Sequence, residues 1–176
     1  MLNDGGLATL LLDLLTPQEE EIDRRTAALR FDIGLLAGRL VAVTRWVRTQ
    51  PSLESLKLGY FGASTGAAAA LVAAAALTDE ISAVVSRGGR PDLAGEHLRK
   101  VRAPTLFIVG AQDTAVIGLN RAASAMMSVE RELVIVPGAT HLFEEPGTLA
   151  EAARLSRAWF RRYLTRGVGG TIYGNG

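Results

Sequence analysis

The residues whose types and spacing could perform chemistry are Ser64, Asp113 and His141. Ser64 stands in the stretch Gly62-Ala63-Ser64-Thr65-Gly66, between a predicted strand and a predicted helix. A serine on such a tight turn projects its hydroxyl above the carboxyl edge of a sheet, and the flanking glycines leave room for the turn. The first amides of the following helix can stabilise negative charge there. The pattern predicts a nucleophile, but a phosphate site or a close-packed turn has the same strand-turn-helix form.

Two further side chains follow predicted strands. Asp113 comes after the strand at 105–109, and His141 comes after the strand at 133–136. The carboxyl ends of parallel strands share one edge, so we expect both residues to lie near Ser64. Serine, acid and histidine in this order form the triad of α/β-hydrolases. Taken singly, Asp113 could cap a helix or turn and His141 could be an ordinary loop histidine, but the shared edge favours the triad.

Each group suits a role in acyl transfer. The Ser64 hydroxyl is protonated at neutral pH and needs a base to become an effective nucleophile. His141 would take that proton and return it to the leaving group, while Asp113 would hold the imidazole tautomer. His97 follows no predicted strand and is expected at the surface, and Asp13 is a weaker alternative acid.

Composition excludes several other classes of protein. Of the 176 residues, 48% are hydrophobic, and the formal net charge is +1. These values exclude a disordered chain and argue against a domain that binds nucleic acid through bulk charge. The chain has no cysteine and two histidines, which excludes disulfides, thiolate metal sites and a cysteine nucleophile. We expect no metal and no cofactor.

Nothing in the sequence indicates a membrane segment or a signal peptide. The longest apolar run, at 66–77, is 12 residues long, whereas about 20 are needed to span a bilayer. The start of the chain has no basic stretch before its apolar run, and Asp13 interrupts that run. We therefore expect a cytoplasmic protein that acts on a small molecule and binds neither nucleic acid nor membrane.

The elements that must position these residues alternate between apolar runs and amphipathic stretches. Strands are predicted at 7–15, 57–62, 81–85, 105–109 and 133–136, and helices at 30–49, 66–77, 91–100, 119–127 and 147–164. This alternation indicates an α/β fold with a doubly wound, mostly parallel sheet of about five strands and helices on both faces. We expect a single domain at 1–166 and a flexible glycine-rich tail at 167–176.

The sequence resembles the dienelactone-hydrolase-like branch of the α/β-hydrolase superfamily. The similar segments are residues 7–15, 62–66, 86–92, 110–113 and 138–141, and the resemblance extends to about Leu164. It implies that Ser64, Asp113 and His141 are the nucleophile, acid and base of an enzyme that hydrolyses an ester, lactone or related acyl bond. Dienelactone hydrolases carry cysteine where this chain has serine, so the resemblance supports the reaction class more than the substrate.

Two arginines in the loop after the third predicted strand are candidates for binding substrate. Arg87 and Arg90 could meet a substrate carboxylate, because a guanidinium binds a carboxylate through two hydrogen bonds. The alternative is that both are solvated, as loop arginines usually are.

The sequence departs from the family pattern ahead of Leu7, where family members have further strands and a helix. In this fold the oxyanion hole takes one amide from the residue after the nucleophile, here Thr65, and another from a loop that has no counterpart in this chain. The family also places a strand between those matching 7–15 and 57–62. We therefore expect a truncated α/β-hydrolase fold. Either the first two strands pair directly, or an apolar edge is exposed and a homodimer could form there.

Three hypotheses follow. The first is a serine hydrolase acting through the triad. The second is a catalytically impaired or N-terminally incomplete domain that acts as a non-catalytic module. The third is a phosphate-binding domain that holds an anion at residues 62–66.

Overall fold

In a computed structural model, residues 2–165 form a four-stranded parallel sheet with helices on both faces. The predicted tail at 167–176 lies outside the described residues. In chain order the elements are α1 (Pro17–Thr26), α2 (Ile33–Arg48), β1 (Leu58–Ala63), α3 (Thr65–Ala76), β2 (Ile81–Arg87), β3 (Thr105–Gly110), α4 (Thr114–Met126), β4 (Arg131–Val136) and α5 (Thr148–Leu164). Short 3-10 segments lie at Asn3–Gly5, Leu29–Phe31 and Pro91–Lys100.

The sheet follows the order of the sequence. Each strand pairs in parallel with the next, so that Phe61 lies opposite Val85 and Val85 lies opposite Leu106. All four carboxyl ends therefore meet at one edge, and each loop that leaves this edge leads towards a helix or a 3-10 segment. This arrangement confirms the predicted doubly wound parallel α/β fold, with four of the five expected strands.

The core lies on both faces of the sheet. On one face Val84 and Phe107 pack with Leu71 of α3, and on the other Val85 and Ile108 pack with α5. Neighbouring residues of a strand point to opposite faces, so a strand covered on both sides must be apolar at nearly every position. This requirement explains the unbroken apolar runs of β2 and β3.

Helix α3 lies in the middle of the molecule. Its alanines at positions 67–70, 73 and 74 are at most 1% exposed, and they pack against α2 and the sheet. Side chains this small let the helix approach its neighbours closely, and alanine has the highest helix propensity. The alanine-rich run therefore brings the start of α3 close to the end of β1.

The predicted strand at 7–15 is wrong. These residues form neither helix nor strand, and Leu10, Leu11 and Leu12 are 60%, 92% and 41% exposed. A strand needs a neighbour to accept and donate its backbone hydrogen bonds, but among the described strands β1 pairs only with β2. The direct pairing of the first two predicted strands therefore does not occur, and the exposed leucines lie outside the sheet.

Both ends of this segment are nevertheless anchored. Leu7 packs on the α5 side of the sheet, whereas Leu14 packs against α2 and α3. The guanidinium of Arg39 in α2 donates a hydrogen bond to the Leu14 carbonyl and pairs with Glu19 of α1, with a shortest nitrogen-oxygen distance of 2.6 Å. The segment thus runs from one face of the sheet to the other without pairing with it.

Helix α1 is absent from the predicted elements because its apolar pattern is weak. The signal that could have revealed it is the capping box, in which the Thr16 hydroxyl accepts from the Glu19 amide and the Glu19 carboxylate accepts from the Thr16 amide. In the described part of the chain, no helix is both long and apolar enough to cross a bilayer.

The exposed leucines predict self-association that depends on Leu11. Replacing Leu11 with lysine should reduce it, because a charge at this 92% exposed position opposes apolar contact. The free energy of unfolding should change by no more than about 0.5 kcal/mol. Sedimentation velocity over a concentration series measures the effect, with Leu149→Lys on α5 as the control, since Leu149 is 53% exposed. Equal association of both variants and the wild type would refute a role for this segment.

Glu19 predicts a specific loss of stability in acid. The Arg39 guanidinium, together with the Thr16 amide, lowers the pKa of Glu19 to about 2 from an ordinary value of 4.5. The folded state thus holds the Glu19 proton more weakly than the unfolded state does. The contribution of the ionised Glu19 side chain to the free energy of unfolding is therefore complete above pH 4.5 and is lost as the pH falls towards 2. Glu19→Gln should be less stable than wild type at pH 7, and this difference should shrink across that window. Denaturant titrations at several pH values measure it, and Glu20→Gln should show no such convergence.

Candidate active site

Ser64 occupies the sharp turn between β1 and α3. Its φ and ψ angles are 51° and −126°, and a non-glycine residue adopts such a positive φ only where its surroundings impose it. Here the Ser64 amide donates to the Arg87 carbonyl at 3.4 Å, and the Ser64 carbonyl accepts from the Arg90 amide at 3.0 Å. The loop after β2 therefore fixes both sides of the turn. In this geometry it is similar to the strained strand-to-helix turn on which hydrolases expose a nucleophilic serine.

The two glycines that flank this turn are not equivalent. A Cβ on Gly62 would lie 2.5 Å from the Gly66 carbonyl oxygen and 2.6 Å from the Ala67 Cα. A Cβ on Gly66 would meet nothing closer than the Leu14 side chain at 3.9 Å. Only Gly62 is thus required by close backbone approach, and it permits α3 to begin directly beside the strand.

Asp113 and His141 are in direct contact. The Nδ1 atom of His141 lies 2.6 Å from Oδ2 of Asp113. Asp113 occupies the cap position of α4, but its side chain makes no capping hydrogen bond and reaches the imidazole instead. The Asp113 and His141 side chains are 15% and 39% exposed. With Nδ1 held by the carboxylate, Nε2 is the ring nitrogen left to exchange a proton.

The loop that carries His141 is held on both sides of that residue. Before it, the Ala139 carbonyl accepts from the Gln112 amide at 3.0 Å. After it, the Glu145 carboxylate accepts from the Thr140 amide at 3.1 Å. The side chain of Thr140, and after it this amide, lower the pKa of Glu145 below its ordinary value. The loop is thereby closed back on itself around the imidazole.

Gly88 connects the serine turn to the histidine loop. Its φ is +50°, and a Cβ there would lie 3.0 Å from the His141 carbonyl oxygen and 3.6 Å from the imidazole Nδ1. The residue before it, Arg87, accepts the amide hydrogen of Ser64. In the described part of the chain, the Ser64 hydroxyl has no hydrogen bond to the imidazole. Such contacts often tighten only when substrate binds.

The start of α3 supplies hydrogen-bond donors beside Ser64. Among the described residues, the amides of Thr65 and Gly66 have no acceptor, as is usual in the first turn of a helix. They carry the positive end of the helix dipole, which favours negative charge at the turn. The site can therefore combine a serine, an acid-bound imidazole and amide donors for an oxyanion.

The chain is similar in sequence to a known family of hydrolases. The model of the family described as "Dienelactone hydrolase family" matches residues 7–164. The chain belongs to this family. The crystal structure of a dienelactone hydrolase from Anabaena variabilis ATCC 29413 is 58% identical, with a TM-score of 0.90 over 93% of this chain and 76% of that one.

Other relatives of this dienelactone hydrolase family protein are longer or more distant. A Mycobacterium tuberculosis H37Rv protein named "Putative phosphoribosyl transferase Rv0571c" is 58% identical over 164 residues, which are 93% of this chain and 36% of that protein. The chain therefore spans about a third of the length of this curated relative. The esterase domain of a Rhodothermus marinus protein shares the fold, with 21% identity and a TM-score of 0.60, over 72% of this chain and 69% of that one.

In this family member the two candidate substrate arginines have different partners. Arg90 makes a bidentate pair with Asp92, at 2.9 and 2.8 Å. Arg87 donates from Nη1 to the Leu142 carbonyl at 3.1 Å, and its guanidinium carbon lies 5.4 Å from the centre of the Phe143 ring. His97 and Asp13 are exposed, and among the described residues neither side chain has a hydrogen-bond partner.

Three features of the site are missing from the sequence-based prediction. Gly88 bridges the two loops, Phe143 adopts a φ of +60°, and Glu145 caps the histidine loop. The Gly88-Gly89 pair is a local signal for an unusual backbone conformation. Phe143 and Glu145 carry no such signal, because their roles depend on contacts formed only after folding.

Neither of the two cavities described lies at the candidate site. The two cavities described, of about 360 and 390 Å³, are lined by residues around Asp23 and around Lys57 and not by Ser64. Across residues 2–165, no group of three histidines or carboxylates is arranged to hold a metal ion.

Alanine substitutions at Gly62 and at Gly118 test the close packing of β1 against α3 beneath Ser64. Gly62→Ala should lower the free energy of unfolding by at least about 1 to 3 kcal/mol, because its Cβ would collide with backbone atoms of α3 that cannot rotate away. Gly118→Ala in α4 should be neutral or stabilising by up to about 1 kcal/mol, since nothing lies within 4 Å of its Cβ. Denaturant unfolding of both variants measures this, and equal effects would contradict the close approach.

Proposed function

We propose that this protein is a serine hydrolase that cleaves a carboxylic ester, lactone or related acyl bond of a small molecule. The observation that carries the proposal is the 2.6 Å contact between Asp113 and His141. It is supported by Ser64, which is held at a φ of 51° in the turn between β1 and α3. Membership of the dienelactone hydrolase family supports hydrolysis. An acid that orients a histidine next to a strained serine is the arrangement that acyl transfer requires.

The reaction proceeds through an acyl-enzyme. The Ser64 oxygen attacks the acyl carbon while its proton passes to Nε2 of His141, and Asp113 holds the opposite nitrogen and stabilises the imidazolium. The tetrahedral intermediate collapses, the bond to the leaving group breaks, and His141 gives its proton to that group. Water then gives a proton to His141 and attacks the acyl carbon. The bond between that carbon and the Ser64 oxygen breaks, and His141 returns its proton to this oxygen, which releases the acid and restores Ser64.

Thr65 supplies the first donor of the oxyanion hole. Its amide is at the start of α3, one residue after the nucleophile, and has no acceptor among the described residues. One donor of this kind contributes about a hundredfold to a thousandfold in rate. This stabilisation is available without rearrangement, because the helix already fixes the direction of the N–H bond.

The proposal includes a contact between an arginine guanidinium and a substrate carboxylate. Arg87 is the better candidate for this contact, and Arg90 is the weaker one. Asp92 already occupies both arms of the Arg90 guanidinium. Arg87 has no ion pair with any described carboxylate, and it uses one nitrogen for the Leu142 carbonyl. Its other N–H groups remain to bind an anion.

The name of the mycobacterial relative refers to a different reaction, phosphoribosyl transfer, in a protein of which this chain spans 36%. We propose hydrolysis for the shared region only, since that region contains the acid, histidine and serine described above.

A second candidate is a module without catalytic activity that relies on a partner segment. The observations that favour it are the exposure of Leu10, Leu11 and Leu12 and the edge of the sheet at β1, which has one neighbour among the strands of residues 2–165. Exposed apolar segments of this kind mark surfaces that another chain covers.

Replacement of Ser64 with alanine separates these candidates. A fluorophosphonate probe should label the wild-type protein and not Ser64→Ala, because the probe reacts with an activated serine. Hydrolysis of short p-nitrophenyl esters should fall by about ten thousandfold or more in Ser64→Ala and by about ten thousandfold in Asp113→Asn.

His97→Ala is the matched control, since this other histidine is exposed, and it should keep both labelling and rate. Labelling that persists in Ser64→Ala would refute the assignment of the nucleophile. A folded wild-type chain that neither reacts with the probe nor hydrolyses esters would favour the non-catalytic module.

A further inference from the structure

Phe143, two residues after the proposed base His141, has an unusual backbone conformation. It has a φ of +60°, which is an unusual conformation for a bulky side chain. The residue is 2% exposed and packs on the α5 side of the sheet. Burial accounts for the position of the ring, but the backbone between His141 and Phe143 needs contacts of its own to hold this turn.

Arg87 makes those contacts. Its Nη1 donates to the Leu142 carbonyl at 3.1 Å, and its guanidinium lies over the Phe143 ring at 5.4 Å. The Leu142 side chain is 58% exposed, so side-chain packing does little to hold this residue. Instead, the hydrogen bond to its carbonyl and the cation over the neighbouring ring restrain the backbone.

No carboxylate in the described part of the chain pairs with Arg87, in contrast to Arg90 three residues later. Burial lowers the pKa of Arg87, and the cost of burying a cation without an acid is offset by the carbonyl and the aromatic face. The backbone of the same residue accepts the amide hydrogen of Ser64 at 3.4 Å. One residue therefore contacts the serine turn through its carbonyl and the histidine loop through its side chain.

We propose that Arg87 is a positioning residue that sets the imidazole of His141 relative to Ser64 by holding the Leu142–Phe143 backbone. This inference rests on the proposed function, since it assigns Arg87 to the reaction of that same site. The Asp113 and Glu145 contacts remain when the guanidinium is removed, so the loop stays folded. The imidazole then loses its alignment with the serine, and the rate of acyl transfer falls for every substrate.

A kinetic comparison with neutral and carboxylate-bearing esters tests this role. Arg87→Met should lower kcat by about tenfold to a hundredfold on both, because a displacement of about 1 Å has this effect on a reacting geometry. KM for the neutral ester should stay within about twofold. Arg87→Lys should recover part of the rate, since lysine can donate to the Leu142 carbonyl but lacks the planar group over Phe143. Arg102→Met, at an exposed arginine, is the control.

The opposite kinetic pattern overturns the proposal. If kcat on the neutral ester is unchanged while KM for the carboxylate ester alone rises, Arg87 binds substrate and does not position the base. If Arg87→Met does not fold, Arg87→Lys and Phe143→Leu carry the test. Each should lower kcat severalfold on both esters, and unchanged kcat in both variants would overturn the proposal.

A spectroscopic measurement separates this inference from the hydrolase assignment. The Nδ1 proton of His141, next to the Asp113 carboxylate, should give a downfield NMR resonance that is lost in His141→Gln. In Arg87→Met this resonance should shift or broaden, and in Arg102→Met it should not. An unchanged resonance in Arg87→Met overturns the positioning role. If the wild type does not hydrolyse esters but the resonance still responds to Arg87→Met, only the hydrolase assignment is overturned.

Discussion

The close approach of β1 and α3 at Gly62 is the constraint on which the rest of the site depends. With no side chain at this position, the Gly66 carbonyl and the Ala67 backbone lie where a Cβ would otherwise be. The chain must then turn from strand to helix within one residue, and Ser64 takes the positive φ that this turn requires. The alanines of α3 extend the same principle, because a helix with larger side chains could not lie so near the sheet.

The loop after β2 transmits this constraint to the other half of the site. It binds the Ser64 backbone on both sides through Arg87 and Arg90, and Gly88 lies against His141. The histidine loop is in turn connected to α4 through the contact with Asp113. Ser64, His141 and Asp113 come from three different loops, yet each loop contacts another. A parallel sheet allows this, since its carboxyl ends all meet at one edge.

The segment at 7–15 shows where local sequence stops determining structure. Its leucines and flanking glycines are typical of a buried strand, but the segment does not pair with β1, which among residues 2–165 is hydrogen-bonded to β2 alone. Apolar composition describes how well a residue tolerates burial, whereas a strand also needs a neighbour in register. By contrast, β2 and β3 have neighbours on both sides and form close to their expected positions.

The sequence by itself determined the α/β class, four of the strands and the three loops that carry serine, acid and histidine. These features depend on apolar periodicity, on glycine next to serine and on chain order, all of which are local properties. Only the tertiary structure decided which arginine pairs with Asp92 and which holds the Leu142 carbonyl, and that Phe143 adopts a positive φ. It also decided that Gly62 and not Gly66 is sterically required. Each of these depends on the distance between groups that are far apart in the chain, and packing of the whole fold sets that distance.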